Sequence, residues 1–224
     1  MILRAENISR RYFRQGKGSN FFYAVKDASL TLEGGTLTEI RGRSGSGKST
    51  FLNMLSGLLE PSEGKVMLDE KDLYLLPDQA RSRLRRDHIG VIPQGQTGLH
   101  SLTVLENVKL PGWMYDGAPC SDERAMELLE SVGIAALANV YPNELSGGEM
   151  RRMAIARSLV MEPEILLADE PTGDLDDANT ATVLGLLRRI ADGGTAVLLV
   201  THEQADAYAD RIFRMDGGCL VREE

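Results

Sequence analysis

The spacing of apolar and polar residues alternates along the chain between a pattern typical of β-strands and a pattern typical of α-helices. Short apolar segments, most of them bounded by Gly, Pro or Asp, predict β-strands at positions 3–9, 24–32, 36–41, 65–68, 89–92, 165–169, 196–201 and 212–215. Helical spacing of apolar residues predicts α-helices at positions 48–56, 78–86, 104–110, 121–132, 146–161, 178–191 and 204–209. Strands that alternate with helices indicate an α/β fold with a mainly parallel core sheet.

The stretch from 95 to 161 differs from the rest because it contains helical patterns and no convincing strand. It is expected to form a helical lobe inserted into the connectivity of the sheet. No internal repeat is visible, which excludes a solenoid.

Composition favours one compact globular domain, with 224 residues of which 42% are apolar and 26% charged. No unbroken apolar run exceeds five residues, whereas a membrane-spanning helix needs about 20. The first residues lack an apolar run of signal-peptide length, so the expected location is the cytosol.

Two cysteines and the net charge exclude further classes. Cys120 and Cys219 lie far apart, without a CxxC pair or histidines at metal-ligand spacing, which argues against a disulfide framework and a zinc site. A formal net charge of -8 disfavours nucleic acid as a partner. The four arginines between 81 and 86 fall on a predicted helix, where a solvated or partner-facing surface is the better interpretation.

A phosphate-binding loop stands between a predicted strand and a predicted helix, where residues 42–50 read GRSGSGKST and satisfy the P-loop pattern. Its glycines let backbone N–H groups surround a phosphate, and the N-terminus of the following helix attracts anions. Lys48 is expected near the β- and γ-phosphates, Ser49 on Mg²⁺ and Thr50 near the α-phosphate. The predicted nucleotide-binding residues of this loop are Gly42, Ser44, Gly45, Ser46, Gly47, Lys48, Ser49 and Thr50.

Two carboxylates follow the apolar strand at 165–169. Asp169 at the strand tip is expected to hold Mg²⁺ through water. Glu170, one step beyond, is expected to orient or deprotonate the water that attacks the γ-phosphate. Together with the P-loop, this pair predicts nucleotide hydrolysis.

A serine and two glycines open the helix predicted at 146–161, in the signature segment, residues 145–149 (LSGGE). Ser146 and Glu149 form the sequence pattern of a capping box. Capping does not explain Gly147 and Gly148, because each glycine in a helix costs about 1 kcal/mol relative to alanine. The bare amides and the serine hydroxyl predict an anion site for a nucleotide γ-phosphate.

With three further motifs, the chain resembles the nucleotide-binding subunits of ABC transporters over nearly all of its length. These motifs are Gln94 in a Q-loop, a D-loop at 173–176 (GDLD) and His202 after the strand at 196–201. The resemblance implies a P-loop NTPase, with a RecA-like core sheet and an antiparallel β subdomain in residues 1–94 and 162–224. It implies a helical subdomain at 95–161, and ATP and Mg²⁺ as cofactors.

The resemblance also implies a head-to-tail homodimer, in which ATP lies between the P-loop of one subunit and the signature segment of the other. Gln94 would then sense Mg²⁺ and the attacking water, and His202 would contact the γ-phosphate. Asp174 would belong to the nucleotide-binding residues. An aromatic ring near the N-terminus should stack on adenine, with Tyr12 as the better match and Phe13 as the alternative.

Two departures from the family pattern stand out. Glu149 replaces the common glutamine of the signature, as in the lipoprotein-release branch, and adds a negative charge near the γ-phosphate. Residues 95–98 (GQTG) are less apolar than usual where the family docks on its membrane partner, so an unusual coupling surface is expected. Residues 102–108 and 168–173 are most similar to the lipoprotein-release, macrolide-export and antimicrobial-peptide-resistance branch.

The expected function is to power a separate membrane permease from the inner face of the cell membrane. An ATPase that regulates a membrane partner in cell division, without transport, remains an alternative that sequence separates poorly. A soluble ABC ATPase of DNA repair or translation conflicts with the length, since those relatives carry coiled-coil insertions or a second ATPase domain. A GTPase is disfavoured because the chain contains no Asn-Lys-x-Asp segment.

Overall fold

The computed structural model describes residues 1–13, 21–95, 98–114, 120–202 and 205–223. Its α/β architecture confirms the predicted fold class. The strands of the described residues are β1 (Ile2–Phe13), β2 (Phe21–Glu33), β3 (Leu37–Arg41), β4 (Glu63–Leu68), β5 (Lys71–Asp72), β6 (Ile89–Ile92), β7 (Ile165–Asp169), β8 (Ala196–Thr201), β9 (Arg211–Asp216) and β10 (Cys219–Arg222).

Helices separate most of these strands, and two short 3₁₀ turns at Ala135–Leu137 and Pro142–Glu144 lie among them. The α-helices of the described residues are α1 (Lys48–Leu55), α2 (Asp78–His88), α3 (Val104–Trp113), α4 (Asp122–Ser131), α5 (Gly147–Leu159) and α6 (Asp177–Asp192). Within the described ranges, none of the helices has the length and apolar character that crossing a bilayer requires.

The core sheet has the strand order β10-β9-β3-β8-β7-β6. All neighbours in it are parallel except the β9–β10 hairpin. Alternate residues of the central strands enter two different hydrophobic clusters: on β8, Val197 and Leu199 join one, and Leu198 and Val200 join the other. Both faces of the sheet are therefore covered, which explains why its strands read as continuous apolar runs.

A second sheet, with the order β2-β1-β4-β5, is antiparallel throughout. Where β1 ends and β2 begins, Tyr12 lies opposite Phe22 and Phe13 lies opposite Phe21. Because successive residues of a strand point to opposite faces, the two aromatic pairs lie on opposite faces of this ribbon.

Helices α3, α4 and α5 lie between β6 and β7 in sequence, and the described part of 95–161 contains no strand. Thr103 and Glu106 form a capping box at the start of α3. The buried Asn107 amide donates to the carbonyls of Leu99 at 3.0 Å, Leu102 at 3.1 Å and Thr103 at 2.9 Å, which fixes the loop that leads into α3. The subdomain boundaries themselves stay a prediction.

The structure departs from the predicted elements in a few places. The helix predicted at 204–209 is wrong for residues 205–209, because the Ala205 amide donates to Glu39 at 3.4 Å and only a single turn closes, from Tyr208 N to Ala205 O at 2.8 Å. Gln204 lies outside the described residues. Helix α3 continues past Pro111 to Trp113, since a proline in the last turn removes only one helical hydrogen bond. Strands β5 and β10 were not predicted, because β5 is two residues long and β10 lies at a polar edge.

Candidate functional site

Four of the motifs recognised in the sequence follow four neighbouring parallel strands of the core sheet. The P-loop follows β3, His202 follows β8, Asp169 ends β7 with Glu170 next to it, and Gln94 follows β6. Carboxyl ends of parallel strands meet at one edge of a sheet, where open α/β folds bind their ligands. Residues that are far apart in sequence are thereby brought to one edge.

The backbone of the P-loop needs glycine at two positions. Gly47, the residue before α1, has a φ of 109°, and a Cβ there would lie 2.1 Å from the Ala24 carbonyl oxygen. A Cβ on Gly42 would lie 2.3 Å from the Met215 carbonyl oxygen. Because both obstacles are backbone atoms, no side chain fits without moving a neighbouring strand.

Lys48 is the first residue of α1 and is only 4% exposed. Its ammonium group donates to the carbonyls of Gly42 at 2.7 Å and Arg43 at 3.2 Å, and lies 3.7 Å from Glu170 Oε1. The buried Ser46 hydroxyl has no hydrogen-bond partner within the described residues. A buried cation beside an unsatisfied hydroxyl at a helix N-terminus fits an anionic ligand such as a phosphate chain.

The side-chain oxygens of Ser49 and Asp169 lie within hydrogen-bond distance of each other. The Ser49 hydroxyl donates to Asp169 Oδ1 at 3.1 Å. Burial raises the pKa of Asp169 above its ordinary value, while the bond from Ser49 lowers it. No group of three His, Cys, Asp or Glu side chains in the described residues could hold a metal by itself. A hydroxyl beside one carboxylate suits Mg²⁺, which takes one or two protein ligands and completes its shell with phosphates and water.

Glu170 is contacted by three of the predicted site residues. Gln94 Nε2 donates to Glu170 Oε2 at 2.8 Å. His202 Nδ1 lies 3.7 Å from Glu170 Oε1, at the same distance as Lys48 Nζ. Glu170 has a φ of 46°, a left-handed conformation that is uncommon for a residue with a side chain and that recurs at functional sites.

Two cavities border the P-loop. One of about 470 Å³ is lined by the ring of Tyr12 and by residues of the P-loop, the Q-loop and the end of β7; among its lining residues are Tyr12, Phe22, Gly45, Gly47, Lys48, Ser49, Thr50, Gln94 and Glu170. The other, of about 810 Å³, includes Gly42, Ser44, Glu170 and His202 among its lining residues. Ser44 and Glu170 line both cavities.

Tyr12 and Phe13 differ in where their rings lie. The Tyr12 ring stacks on Phe22, with centroids 5.8 Å apart, and both rings border the cavity of the P-loop. Phe13 packs edge-on against Phe21 on the other face of the ribbon, with centroids 5.6 Å apart. Of the two aromatic candidates, only Tyr12 is among the residues that line this cavity.

The signature segment lies outside both cavities, as does Asp174. Ser146 and Glu149 form the capping box, in which the Ser146 amide and hydroxyl both donate to Glu149 Oε2 at 2.7 Å. These two bonds lower the pKa of Glu149, so its carboxylate stays ionised. Asp174, with a φ of 63°, lies in the turn between β7 and α6.

The two signature glycines have different surroundings. A Cβ on Gly148 would lie 2.3 Å from Asn179 Oδ1 of α6, so a residue of the same chain occupies the space beside this glycine. A Cβ on Gly147 would make only an ordinary contact with Leu175 at 3.5 Å. Contacts within this chain therefore do not explain why residue 147 is a glycine.

Sequence reasoning missed three residues that contact the motifs: Phe22 beside Tyr12, Asn179 beside Gly148, and Arg151, which bonds to the Q-loop backbone. Phe22 belongs to the apolar run at 21–25, but the strand predicted from the sequence starts only at residue 24. Asn179 and Arg151 carry no local signal, because their contacts depend on how α5 and α6 pack.

Comparison with known proteins agrees with these motifs. Residues 25–173 match the sequence profile of the ABC transporter family. The lipoprotein-releasing system ATP-binding protein LolD of Aquifex aeolicus (strain VF5) is 41% identical over 225 residues, which cover 99% of this chain and 97% of that protein. The macrolide export ATP-binding/permease protein MacB of Aggregatibacter actinomycetemcomitans is 40% identical over 216 residues, which cover 95% of this chain and 33% of that protein. This chain thus spans about a third of the length of such ATP-binding/permease relatives.

Solved structures extend the likeness to the whole fold. The dimeric structure of MJ0796, described as a bacterial ABC transporter cassette, superposes with a TM-score of 0.89 at 37% identity and covers 99% of this chain and 97% of that one. A dimeric post-hydrolysis state of MJ0796 bound to ADP and Pi matches equally well, with a TM-score of 0.89. MJ0796 comes from Methanocaldococcus jannaschii.

These findings confirm the resemblance on which the prediction of an ATPase depended, and the named export and lipoprotein-releasing relatives do not favour the cell-division alternative. The chain belongs to the ABC transporter family, as an ATP-binding cassette that hydrolyses ATP.

Proposed function

We propose that this chain drives a separate membrane permease of the export or lipoprotein-release type from the inner face of the cell membrane. Relatives named for macrolide export and lipoprotein release support this branch. In this proposal residues 1–94 and 162–224 form the ATP-binding core with its β subdomain, and residues 95–161 form the helical subdomain. Gln96 and Thr97 of the proposed coupling loop lie outside the described residues.

The proposed ATP site lies at the carboxyl ends of β3, β7 and β8. The P-loop amides and Lys48 bind the phosphates, and the Tyr12 ring stacks on adenine. Ser49, Asp169 and Gln94 would hold Mg²⁺, which when bound would neutralise negative charge on the transferred phosphoryl group. The bond between Ser49 and Asp169 and the unsatisfied hydroxyl of Ser46 support this assignment.

Hydrolysis is assigned to Glu170 as the group that accepts a proton from the attacking water or orients it. The carboxamide of Gln94, 2.8 Å away, fixes one carboxylate oxygen of Glu170. His202 faces the other oxygen at 3.7 Å and is the proposed contact of the γ-phosphate. Glu170 carries the proton transfer in this scheme, while Gln94 and His202 orient the reacting groups.

The proposed assembly is a head-to-tail dimer with ATP at each interface, and one observation carries it. The catalytic residues converge at one edge of the sheet, yet Ser146, Gly147, Gly148 and Asp174 line neither P-loop cavity of their own chain. A second copy placed head to tail would supply its signature segment to the ATP held by the first. The dimeric MJ0796 structures support an assembly of two cassettes.

The experiment that tests the proposal purifies tagged Glu170→Gln from native membranes with ATP and Mg²⁺ and identifies co-purifying proteins by mass spectrometry. Removal of the base should trap the ATP-bound dimer on its partner. The matched control is the same preparation without nucleotide. We expect a permease with a large extracytoplasmic domain in the ATP sample.

Two results would overturn the proposal. Recovery of a division-site membrane protein would refute the transport function and support the regulation of cell division instead. Recovery of no membrane protein, with the variant itself well expressed, would exclude a permease partner.

A further inference from the structure

Arg151 connects the helix that follows the signature segment to the Q-loop. It lies on α5 and is 6% exposed. Its Nη1 atom donates to the carbonyl oxygens of Pro93 at 3.2 Å and Gly95 at 2.8 Å. These two carbonyls belong to the residues on either side of Gln94, so one guanidinium nitrogen brackets the Q-loop glutamine.

The electrostatic surroundings explain how a buried guanidinium is tolerated at this position. Burial lowers the pKa of Arg151, and the negative charges of Asp174, Glu170 and Asp169 oppose that shift. The charge therefore remains on the side chain, since arginine is protonated in proteins. Two carbonyl acceptors and nearby carboxylates offset the cost of removing that charge from water.

The bracketed glutamine contacts the proposed catalytic carboxylate. Gln94 Nε2 donates to Glu170 Oε2 at 2.8 Å, and Gln94 is itself exposed. Its direction therefore depends on the backbone from which it projects. Within the described residues, Arg151 is the side chain that holds that backbone on both sides.

We propose that Arg151 is a positioning residue for ATP hydrolysis, which fixes the Q-loop backbone and so directs the Gln94 carboxamide toward Glu170. This inference rests on the proposed assignment of Gln94 and Glu170 to hydrolysis. Arg151 lines neither P-loop cavity, so in this proposal it acts through Gln94. Its loss should therefore slow hydrolysis and leave ATP binding intact.

Steady-state ATPase kinetics of purified Arg151→Met and Arg151→Lys test the inference, with thermal denaturation of each variant. We expect Arg151→Met to lower kcat by about 10- to 100-fold, the range that a misplaced catalytic group produces, with KM for ATP within about threefold of wild type. Arg151→Lys keeps the charge and donor hydrogens on a shorter head and should recover part of kcat. Arg188→Met is the matched control, because Arg188 ties Tyr208 O and Asp210 together at the opposite end of β3.

A double-mutant cycle separates positioning from a general structural role. In a Gln94→Ala background, Arg151→Met should change kcat by less than about twofold, since the residue through which Arg151 acts is already gone. An equal loss of kcat in both backgrounds, or an unchanged kcat in Arg151→Met, would overturn the inference. If Arg151→Met does not fold, the same cycle with Arg151→Lys decides. A wild-type protein without ATPase activity would instead overturn the proposed function.

Discussion

Gln94 and Glu170 are hydrogen-bonded at 2.8 Å although 76 residues separate them in sequence. The contact follows from the pairing of β6 with β7, in which Ile92 lies beside Ala168 in parallel register. Each of the two residues stands two positions beyond that pair, so the register sets them side by side. Any shift of β6 against β7 would separate the Q-loop from the proposed base.

Glu170→Gln is expected to bind ATP, to lose hydrolysis and to accumulate as a dimer. The substitution removes the proton acceptor and leaves the phosphate cradle unchanged, so turnover should fall by at least about 100-fold. ATPase assays and size-exclusion chromatography with ATP measure both effects. Glu164→Gln, at an exposed carboxylate just before β7, is the control and should hydrolyse normally. Near-normal turnover of Glu170→Gln would refute the assigned base.

Lys48→Ala is expected to weaken ATP binding, because it removes the buried positive charge of the P-loop. A charge-assisted contact contributes about 1.5–3 kcal/mol, so affinity should fall by at least about tenfold. Titration calorimetry measures the change. Lys65→Ala, which breaks a surface pair with Glu6, should bind ATP normally. An unchanged affinity in Lys48→Ala would contradict the P-loop assignment.

Sequence predicted the central strands well, and physics explains why. The bounds of β6, β7 and β8 agree with the segments predicted at 89–92, 165–169 and 196–201. Each is a short apolar run buried on both faces of a parallel sheet, and such a run has a strong local signal. The antiparallel strands β1 and β2 are longer than predicted, because their ends carry exposed and charged residues.

The residues of the candidate site also divide into those that the sequence predicts and those that it does not. Motif residues such as Lys48 and Asp169 were predictable because the chemistry of phosphate and metal binding needs particular residue types at short spacing. Contacts of Arg151 and Asn179 were not, because each depends on the packing of one helix against a distant segment. The positions of these helices follow from the whole core.

Tyr12→Ala is expected to raise KM for ATP by about 5- to 150-fold, since stacking of a base on an aromatic ring contributes about 1–3 kcal/mol. Phe13→Ala is the matched control, because its ring lies on the other face of the β1–β2 ribbon. Tyr12→Phe should keep most of the affinity, as it keeps the ring. Initial-rate kinetics measure KM. A larger effect of Phe13→Ala than of Tyr12→Ala would exchange the two assignments.

Glu149→Gln is expected to strengthen ATP-dependent dimerisation. The ionised Glu149 carboxylate holds the Ser146 hydroxyl and would face the partner's γ-phosphate in the proposed dimer. Its removal relieves about 1 kcal/mol of repulsion per interface, while glutamine can still complete the capping box. Sedimentation of Glu149→Gln in the Glu170→Gln background measures the dimer constant. Glu144→Gln, which alters a similar bond to the Tyr141 amide, is the control. A weaker dimer in Glu149→Gln would contradict the proposed interface.

Gly148→Ala is expected to destabilise the nucleotide-free protein, because the added Cβ would meet Asn179 Oδ1 at 2.3 Å. Overpacking costs about 1–3 kcal/mol, which equals or exceeds the gain of about 1 kcal/mol from alanine in a helix. Gly147→Ala is the matched control within the same turn, since its Cβ would meet only Leu175 at an ordinary 3.5 Å. Thermal denaturation should therefore rank Gly148→Ala below Gly147→Ala.

The cause of that instability can be isolated in an Asn179→Ala background, where the obstructing oxygen is absent. There Gly148→Ala should be neutral or stabilising, because only the helix preference remains. The same loss of stability in both backgrounds would show that Asn179 is not the obstacle. If the double variant is stable but does not dimerise with ATP, contact with the partner subunit also requires glycine at position 148. The requirement for glycine within one chain is thereby measured apart from the requirement at the proposed interface.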